Sequence, residues 1–276
     1  MRAKLNSLHE VRFCIKCDLG QSYPEISKEN LSKFYTSAYG TTLERRSILS
    51  KLQTLKYKRD LKLIRKHSAR ENSTFLDLGA GQGDFVSFLL NSGIQADGIE
   101  LSESERDKAV SLHNVRLIAG DSESMRIDTK YDCVIMRHVL EHVENPLETL
   151  RYINANVLHA GGLIVILVPN LNSWERKIFG HYWHGYDIPR HRFHFTEYGL
   201  SQMLIKADYK IVQKRYESNG LDFIRSLQNI NYEARNYKFI SKILSNRILS
   251  LVMLSPVIIF TAIAKPPRIL IIARSK

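Results

Sequence analysis

The most restrictive feature of this sequence is an apolar run that leads into a glycine-rich turn. Residues Phe75–Asp84 read FLDLGAGQGD, with Gly79, Gly81 and Gly83 followed by a helix-like pattern. Glycine allows a backbone to turn sharply and to approach a ligand closely, because it has no Cβ. The segment therefore predicts a strand-to-helix connection of an α/β sheet, with a ligand bound at the turn.

The pattern after Ser73 predicts the rest of the sheet. Short apolar runs alternate with helix-like segments, which indicates crossover connections between parallel strands. The predicted strands are Thr74–Leu78, Ala96–Leu101, Val115–Ala119, Tyr131–Met136, Gly162–Val168, Tyr209–Tyr216 and Ile269–Ala273. The predicted fold class is α/β, a Rossmann-like seven-stranded, mostly parallel sheet with helices on both faces.

Four segments are predicted along the chain of 276 residues. They are an N-terminal appendage (1–72), a ligand-binding core (73–216), a helical, partly hydrophobic insertion (217–267) and the last core strand (268–276). Within the appendage, the apolar residues recur loosely at helical spacing, which predicts one amphipathic helix. These apolar residues are Leu43, Ile48, Leu52, Leu55 and Leu63.

Acidic residues at successive strand ends indicate the kind of ligand. Asp77 and Asp84 bracket the glycine turn, Glu100 ends the second core strand, and Asp121 follows the third. Asp84 stands where a dinucleotide fingerprint has its third glycine, and a pyrophosphate cradle avoids carboxylates. A cationic ligand suits these acids better, with Glu100 accepting hydrogen bonds from ribose hydroxyls and Asp121 accepting one from an adenine amino group.

With these motifs in place, residues 73–216 resemble class I S-adenosylmethionine (SAM)-dependent methyltransferases. The similarity is to the small-molecule, ubiquinone-methyltransferase-like branch (methyltransferase type 11/23 domain), and it includes HVLEHVENP at 138–146 and VPN at 168–170. The resemblance implies SAM as cofactor, with contacts from Gly79, Gly81, Gly83, Glu100, Asp121 and Arg137. Asp77 is added to this set because it flanks the turn. A NAD-binding domain or a catalytically inactive Rossmann domain remains the alternative.

The loop Trp183–Phe195, which reads WHGYDIPRHRFHF, is the predicted acceptor side of the site. Titratable groups interleaved with aromatic residues, without strand or helix period, are typical of a lid over a pocket. The branch resembled here often carries a similar W-x-G-x-D-x-P-R-H segment. His184, Asp187 and His191 are the candidates for general base or substrate anchor, and the alternative is that they only brace the loop.

Three patterns have the spacing of metal ligands, and none leads to a predicted metal. Residues 138–142 fit H-x-x-E-H but follow a core strand. The pairs His181/His184 and His191/His194 are not part of an ordered pattern of cysteines or acids that would indicate zinc. Cys14 and Cys17, with the aromatic Phe34, Tyr35 and Tyr39 after them, resemble the second half of a zinc ribbon. The other half is missing because the remaining cysteine, Cys133, lies in a core strand, so a degenerate ribbon is predicted.

Charge and cysteine content suggest the surroundings of the protein. Three cysteines exclude a disulfide framework and fit a reducing cytoplasm. The net charge is +12, and residues 43–69 carry nine Lys or Arg against two acids. Such a stripe could meet nucleic acid, an anionic membrane surface or an acidic substrate, or be a solvated helix face.

A second segment, Ile248–Ala264, is a run of 17 residues without a charge. It is interpreted as an in-plane membrane contact, a buried cover or homodimer surface, or a span.

The sequence predicts a SAM-dependent enzyme that methylates, at oxygen, a small or lipid-linked molecule such as a surface-polysaccharide sugar. The expected localisation is cytoplasmic, with peripheral binding at the inner membrane face. An RNA or DNA methyltransferase is the alternative suggested by the basic charge. It is disfavoured because the fourth core strand ends in Met136-Arg137-His138 and no RNA-binding module is recognisable. A non-catalytic, membrane-associated SAM-binding scaffold is a third possibility.

Overall fold

The computed structural model describes residues 2–4, 9–25, 47–68, 70, 72–121, 123, 127–218, 220–233 and 266–276. The chain divides into two compact units that interleave along the sequence. The core unit comprises Ser32–Leu167, Ser201–Lys214 and Ile271–Lys276. The small-sheet unit comprises Met1–Leu31, Val168–Leu200 and Arg215–Leu270.

The strands are numbered in chain order. They are β1 (Arg2–Lys4), β2 (Glu10–Cys14), β3 (Leu19–Tyr23), β4 (Phe75–Leu78), β5 (Ala96–Glu100), β6 (Ile118–Ala119), β7 (Tyr131–Arg137), β8 (Leu158–Pro169), β9 (Phe193–Phe195), β10 (Tyr209–Glu217) and β11 (Arg268–Ser275). The helices are α1 (Ser47–His67), α2 (Asp84–Asn91), α3 (Glu103–His113), α4 (Pro146–Tyr152), α5 (Trp174–Phe179), α6 (Glu197–Lys206) and α7 (Gly220–Glu233). A π-helical turn (Ile153–Val157) follows α4, and two 3₁₀ turns (Gly180–Tyr182 and His184–Tyr186) follow α5.

The core unit is built on a seven-stranded sheet with the order β10-β11-β8-β7-β4-β5-β6. Strands β8, β7, β4, β5 and β6 run parallel, with Leu78 beside Ile99 on one side and Met136 on the other. Their carboxyl ends therefore meet at one edge, where ligands of such sheets bind. The predicted α/β class and mostly parallel sheet are confirmed, and each predicted strand is present. Val115–Ala119 shortens to Ile118–Ala119.

Continuous apolar strands explain why the sheet forms. β4 is buried along its whole length, and the segment Leu163–Val168 of β8 is buried on both faces. Parallel strands covered by helices on both faces lack the alternation of a half-exposed strand. The apolar runs of the sequence thus follow from the position of these strands at the centre of the sheet.

Helix α1 confirms the predicted amphipathic helix but buries a different face. Leu55 is 60% exposed, whereas Asp60, Leu61 and Ile64 are buried. Ile64 follows Leu61 by three residues and Asp60 by four, so it shares one side of the helix with both of them. Asp60 lies 3.7 Å from the Arg137 guanidinium of β7, which places an acid on the buried side of a basic helix. The exposed basic residues are Lys58, Arg59, Lys62, Arg65 and Lys66.

The small-sheet unit contains a second, antiparallel sheet with the order β1-β2-β3-β9. The N-terminal hairpin β2–β3 pairs with β9, with Gly20 opposite His194. A cluster of buried apolar residues belongs to the same unit: Val11, Leu171, Phe179, Trp183 and Tyr186, with Phe223, Leu227 and Ile230 of α7 packed against it. The hairpin and the Trp183–Phe195 loop are therefore parts of one compact unit.

Within the small-sheet unit, Arg268 and Asp222 form a bidentate ion pair, with two N···O distances of 2.7 Å. Both side chains are almost buried, so removing one partner leaves an uncompensated charge. We expect Arg268→Met to lower the free energy of unfolding by about 3–5 kcal/mol. The double variant Asp222→Leu/Arg268→Met should recover most of the loss, because neither charge then remains buried. Urea unfolding followed by circular dichroism measures both effects.

The matched control for this pair is Arg151→Met in α4. Arg151 pairs with Glu148 at 2.8 Å, but their side chains are 51% and 67% exposed. Exposed ion pairs contribute about 0–1 kcal/mol, so this variant should unfold close to the wild type. Equal losses for Arg268→Met and Arg151→Met would show that burial does not set the strength of the Arg268–Asp222 pair.

No helix in the described part of the chain has the length and apolarity to cross a bilayer. Several sequence features lie outside the described residues: Phe34, Tyr35, Tyr39, Leu43, Arg45, Arg46 and Ile248–Ala264.

Candidate functional site

The glycine turn after β4 leaves an open space at one position. Gly79 has φ +70°, and a Cβ there would lie 2.5 Å from Val139 Cγ2. Packing within the protein therefore requires glycine at this position. Gly81 also has a positive φ, +56°, but a Cβ there would meet nothing within 4 Å. Because a positive φ disfavours a side chain while space is available, the Gly81 backbone is the part of the turn that a ligand can approach closely. Gly83, with φ +74°, is the N-cap residue of α2.

The carboxylate of Glu100 holds the turn in place from the neighbouring strand. Its Oε2 accepts a 2.8 Å hydrogen bond from the Gly81 N–H, and its Oε1 accepts one of 2.9 Å from the Ser102 N–H. Each carboxylate oxygen can accept more than one hydrogen bond, so both retain capacity for a ligand hydroxyl. Glu100 thus stands at the end of β5 beside the open position of Gly81.

Acidic groups give this edge of the sheet a negative character. Asp77 is buried in β4, and burial together with the negative charge of Glu100 raises its pKa to about 6, while Arg137 opposes the rise. Asp121, half-buried after β6, accepts a 2.8 Å hydrogen bond from the Glu123 N–H through Oδ1. Since a nearby cation favours the ionised form of a buried acid, this edge suits a positively charged ligand.

The Arg137 side chain is engaged with helices of the core unit. Its guanidinium lies 3.8 Å from the centre of the Phe85 ring and 5.4 Å from that of Tyr57. Together with the Asp60 contact, this packing fixes α1 against α2 and β7. Arg137 is the last residue of β7, so its backbone, rather than its side chain, is available at the carboxyl edge of the sheet.

His138, directly after β7, takes the left-handed conformation with φ +56°. Its ring Nδ1 lies 3.2 Å from Oε1 of the buried Glu141. Its backbone N–H donates a 2.9 Å hydrogen bond to the carbonyl oxygen of Leu167. The H-x-x-E-H spacing therefore brings its first histidine and its acid into contact with each other. The pair supports the connection that follows β7.

His184 belongs to the small-sheet unit and is held through both its backbone and its ring. Its N–H donates a 2.9 Å hydrogen bond to Ser226 Oγ, and its Nε2 lies 3.3 Å from Nη1 of Arg225. Because arginine only donates, Nε2 is the acceptor, and the ring is neutral with its proton on Nδ1. Burial lowers the pKa of His184, helped by the charges of Arg225 and Arg268, while Asp222 and Asp187 oppose the shift.

Asp187 and His191 lie in the same loop and contact each other loosely. Asp187 forms an ion pair with Arg190, and its Oδ2 lies 3.6 Å from Nε2 of His191. Burial would raise the pKa of Asp187, but His191 and Arg190 outweigh it and lower the value. The His191 ring donates through Nδ1 to the Gly185 carbonyl at 2.9 Å. His191 is thereby fixed to the backbone of the loop.

His194, whose spacing from His191 is that of a pair of metal ligands, lies on the small sheet. Ser22 Oγ donates to the His191 carbonyl at 2.6 Å and lies 3.0 Å from Nε2 of His194. The hydroxyl has one proton, so His194 is the donor in the second bond. Burial and the nearby His191 lower the pKa of His194 to about 3, which keeps it neutral. His194 therefore joins β9 to β3.

A residue that the sequence did not single out is Glu175 in α5. It is fully buried, and burial together with the charge of Asp222 raises its pKa to about 8, against the opposing effects of Arg268 and Trp183. An acid in the first turn of a helix ordinarily indicates an exposed group beside the helix dipole. Nothing in the local pattern distinguishes Glu175 from such an acid, because its burial comes from residues distant in sequence.

The structure thus forms two groups from the predicted site residues. Asp77, Gly79, Gly81, Gly83, Glu100, Asp121 and the backbone of Arg137 lie at or near the carboxyl edge of the core sheet. His184, Asp187 and His191 lie in one loop of the small-sheet unit, where the charge of Asp187 acts on both histidines. Arg225, Asp222 and Ser226 of α7 join this second group.

Comparison with known proteins identifies the family to which the chain belongs. Residues 49–214, more than half of the chain, match the family of methyltransferase domains. A ubiquinone biosynthesis O-methyltransferase of Hydrogenovibrio crunogenus is 28% identical over 120 residues, which cover 41% of this chain and 49% of the relative. The chain thus matches about half the length of this relative.

Solved structures show the same fold. A SAM-dependent methyltransferase from Archaeoglobus fulgidus aligns with a TM-score of 0.53 and 20% identity, covering 82% of this chain and 94% of that one. The YcgJ protein from Bacillus subtilis aligns with a TM-score of 0.52 and 18% identity, covering 79% and 99%. The fold, the glycine turn and the family match together establish that the chain belongs to the family of methyltransferase domains.

Proposed function

We propose that this enzyme methylates an oxygen atom of a small or lipid-linked molecule, such as a sugar of a surface polysaccharide. The observation that carries the proposal is the neutral His184, whose basic Nε2 is available to a hydroxyl that replaces Arg225 as donor. The O-methyltransferase from Hydrogenovibrio crunogenus supports oxygen as the acceptor atom. A hydroxyl needs a base at neutral pH, and a histidine with a lowered pKa remains in its basic form there.

In this proposal the core unit holds SAM. Gly79, Gly81 and Gly83 receive it at the turn, Glu100 accepts from its ribose hydroxyls, and Asp121 accepts from its adenine amino group. Asp77 faces the cationic part, and the backbone of Arg137 closes the site. Bound SAM supplies an electrophilic methyl group on a sulfonium centre.

The small-sheet unit supplies the groups that act on the acceptor. His184 accepts the hydroxyl proton at Nε2, and the negative charges of Asp187 and Asp222 stabilise the imidazolium that results, since both raise the pKa of His184. His191 maintains the loop through its bond to the Gly185 carbonyl. Asp187 thus acts through His184 and is a positioning residue.

Transfer of a labelled methyl group to a panel of acceptors tests the proposal. The panel contains lipid-linked and free glycans, phenols, amines and RNA, and each product is treated to distinguish methyl ethers from methyl esters and methylamines. Label in an acid- and base-stable ether on a glycan or phenol is the expected result. Label confined to nitrogen, or to RNA, would contradict oxygen methylation of a small molecule.

The exposed basic face of α1 supports nucleic acid as a second candidate acceptor. It also supports our proposal that the protein is cytoplasmic and binds peripherally to the inner face of the membrane. We expect Lys58→Ala/Arg59→Ala/Lys62→Ala to leave transfer to a small soluble acceptor unchanged and to reduce co-sedimentation with anionic vesicles. A nucleic-acid enzyme would instead lose activity, and its binding would weaken steeply with salt. The control removes the exposed Lys177, Lys206 and Lys210, which lowers the net charge equally.

A further inference from the structure

We propose that Cys14 and Cys17 form half of a zinc site that is completed by the same two cysteines of a second copy of this chain. The two copies would meet at the turn between β2 and β3, and one zinc ion would be bound by four thiolates. Neither the family match nor the proposed methyl transfer assigns any role to this turn.

The turn already has the conformation of a metal-binding knuckle. The Asp18 N–H donates to the Cys14 carbonyl at 2.9 Å, which closes the turn, and the Cys17 N–H lies 3.3 Å from Cys14 Sγ. Both cysteines are exposed, so their sulfur atoms are accessible at the surface of the small-sheet unit. An N–H that donates to sulfur stabilises the thiolate, which is the form that binds metal.

The base of the turn is fixed, because Thr196 Oγ1 donates to Asp18, 2.6 Å from Oδ2 and 2.9 Å from the carbonyl oxygen. The two sulfur atoms are therefore presented by an ordered turn.

The described residues of one chain do not complete the site. Structural zinc takes four ligands, and these two cysteines supply two. The third cysteine, Cys133, is 1% exposed inside β7. Among the described residues, no third Cys, His, Asp or Glu donor forms a cluster with Cys14 and Cys17 within 4.8 Å. Residues 26–46 contain neither cysteine nor histidine. A second copy provides two further thiolates of matching geometry through a two-fold, self-complementary contact.

Charge and exposure also fit a contact between two copies. Zinc with four thiolates carries a charge of −2, and one Lys16 from each turn would offset it. Ile15, at the tip of the turn, is 90% exposed, and a second copy that meets this turn would remove its apolar side chain from water. Zinc thereby supplies most of the affinity for an interface that consists of little more than two turns.

The experiment measures the zinc content and the mass of the full-length protein in solution, purified with zinc and a reducing agent. Elemental analysis with multi-angle light scattering should give one zinc for two chains and the mass of a dimer. A strong chelator should remove the zinc and halve the mass, and added zinc should restore both. Cobalt in place of zinc should give the absorption of a tetrahedral tetrathiolate site.

The double variant Cys14→Ser/Cys17→Ser should contain no zinc and remain a monomer, while its affinity for SAM stays that of the wild type. Cys133→Ala is the matched control and should retain zinc and the dimer. One zinc in each monomer, a monomer without zinc, or a dimer that reducing agent separates and chelator does not would each overturn the proposal.

Discussion

We expect His184→Ala to lower kcat by about 10²- to 10⁴-fold, the range that a positioned general base contributes. Its ring is neutral, with Nε2 as the acceptor toward Arg225, so the variant removes the group that would take the hydroxyl proton. The cofactor residues belong to the core unit, and the affinity for SAM should therefore be unchanged. Steady-state kinetics with the acceptor found in the panel, together with calorimetric titration of SAM, separates the two effects.

His181→Ala is the matched control, since His181 is exposed three residues away and should tolerate the change. The pH dependence adds a second criterion. The pKa of His184 is lowered, so its neutral form persists below the pH at which an ordinary histidine is protonated. Wild-type kcat should then fall on the acid side of the usual histidine range, and the variant should lose this limb. A kcat for His184→Ala within twofold of the wild type would exclude His184 as the base.

The sheet could be predicted from the sequence because parallel, doubly covered strands leave a simple pattern. β4 and β7 are short apolar runs in which nearly every residue is buried, and each run is followed by a helix-like segment. Element ends were less predictable. Strand β8 (Leu158–Pro169) begins four residues before its predicted start, since the polar His159 and Gly161, which has no side chain, interrupt the apolar run that marked the other strands.

The contacts that complete the site depend on residues distant in sequence, and local patterns do not contain them. Arg137 was predicted from its position after a strand, but its partners Asp60, Phe85 and Tyr57 come from two helices. Helix α1 in turn buries Asp60, a residue that an amphipathic pattern assigns to the solvent. The pairing of the N-terminal hairpin with β9 likewise joins residues about 170 positions apart.

The candidate acceptor loop shows the same limit at the level of single histidines. Its two candidate histidines, His184 and His191, look equivalent in the sequence. The structure distinguishes them through their partners, because His191 donates to a carbonyl while His184 accepts from Arg225. Spacing identifies the loop, and only the hydrogen bonds indicate which nitrogen is basic.

Removing the Glu100 carboxylate is expected to weaken SAM binding by about two orders of magnitude. Hydrogen bonds to a charged group contribute about 1.5–3 kcal/mol each, and 1.4 kcal/mol corresponds to tenfold in affinity. Glu100→Ala would lose the proposed ribose contacts and also the 2.8 Å bond that fixes the Gly81 N–H. Calorimetric titration with SAM and with its demethylated product measures the loss, which should be similar for both ligands because they share the ribose.

The matched control is Glu103→Ala, which removes an exposed carboxylate at the start of α3, three residues from Glu100. Its SAM affinity should equal that of the wild type, since a change in net charge alone has little effect at physiological salt. Glu100→Gln should fall between the two, because the amide retains one acceptor oxygen while its NH₂ group faces a backbone donor. SAM affinity unchanged in Glu100→Ala would place the ribose elsewhere on the sheet edge, and the Gly81 turn would then have to hold the cofactor without help from β5.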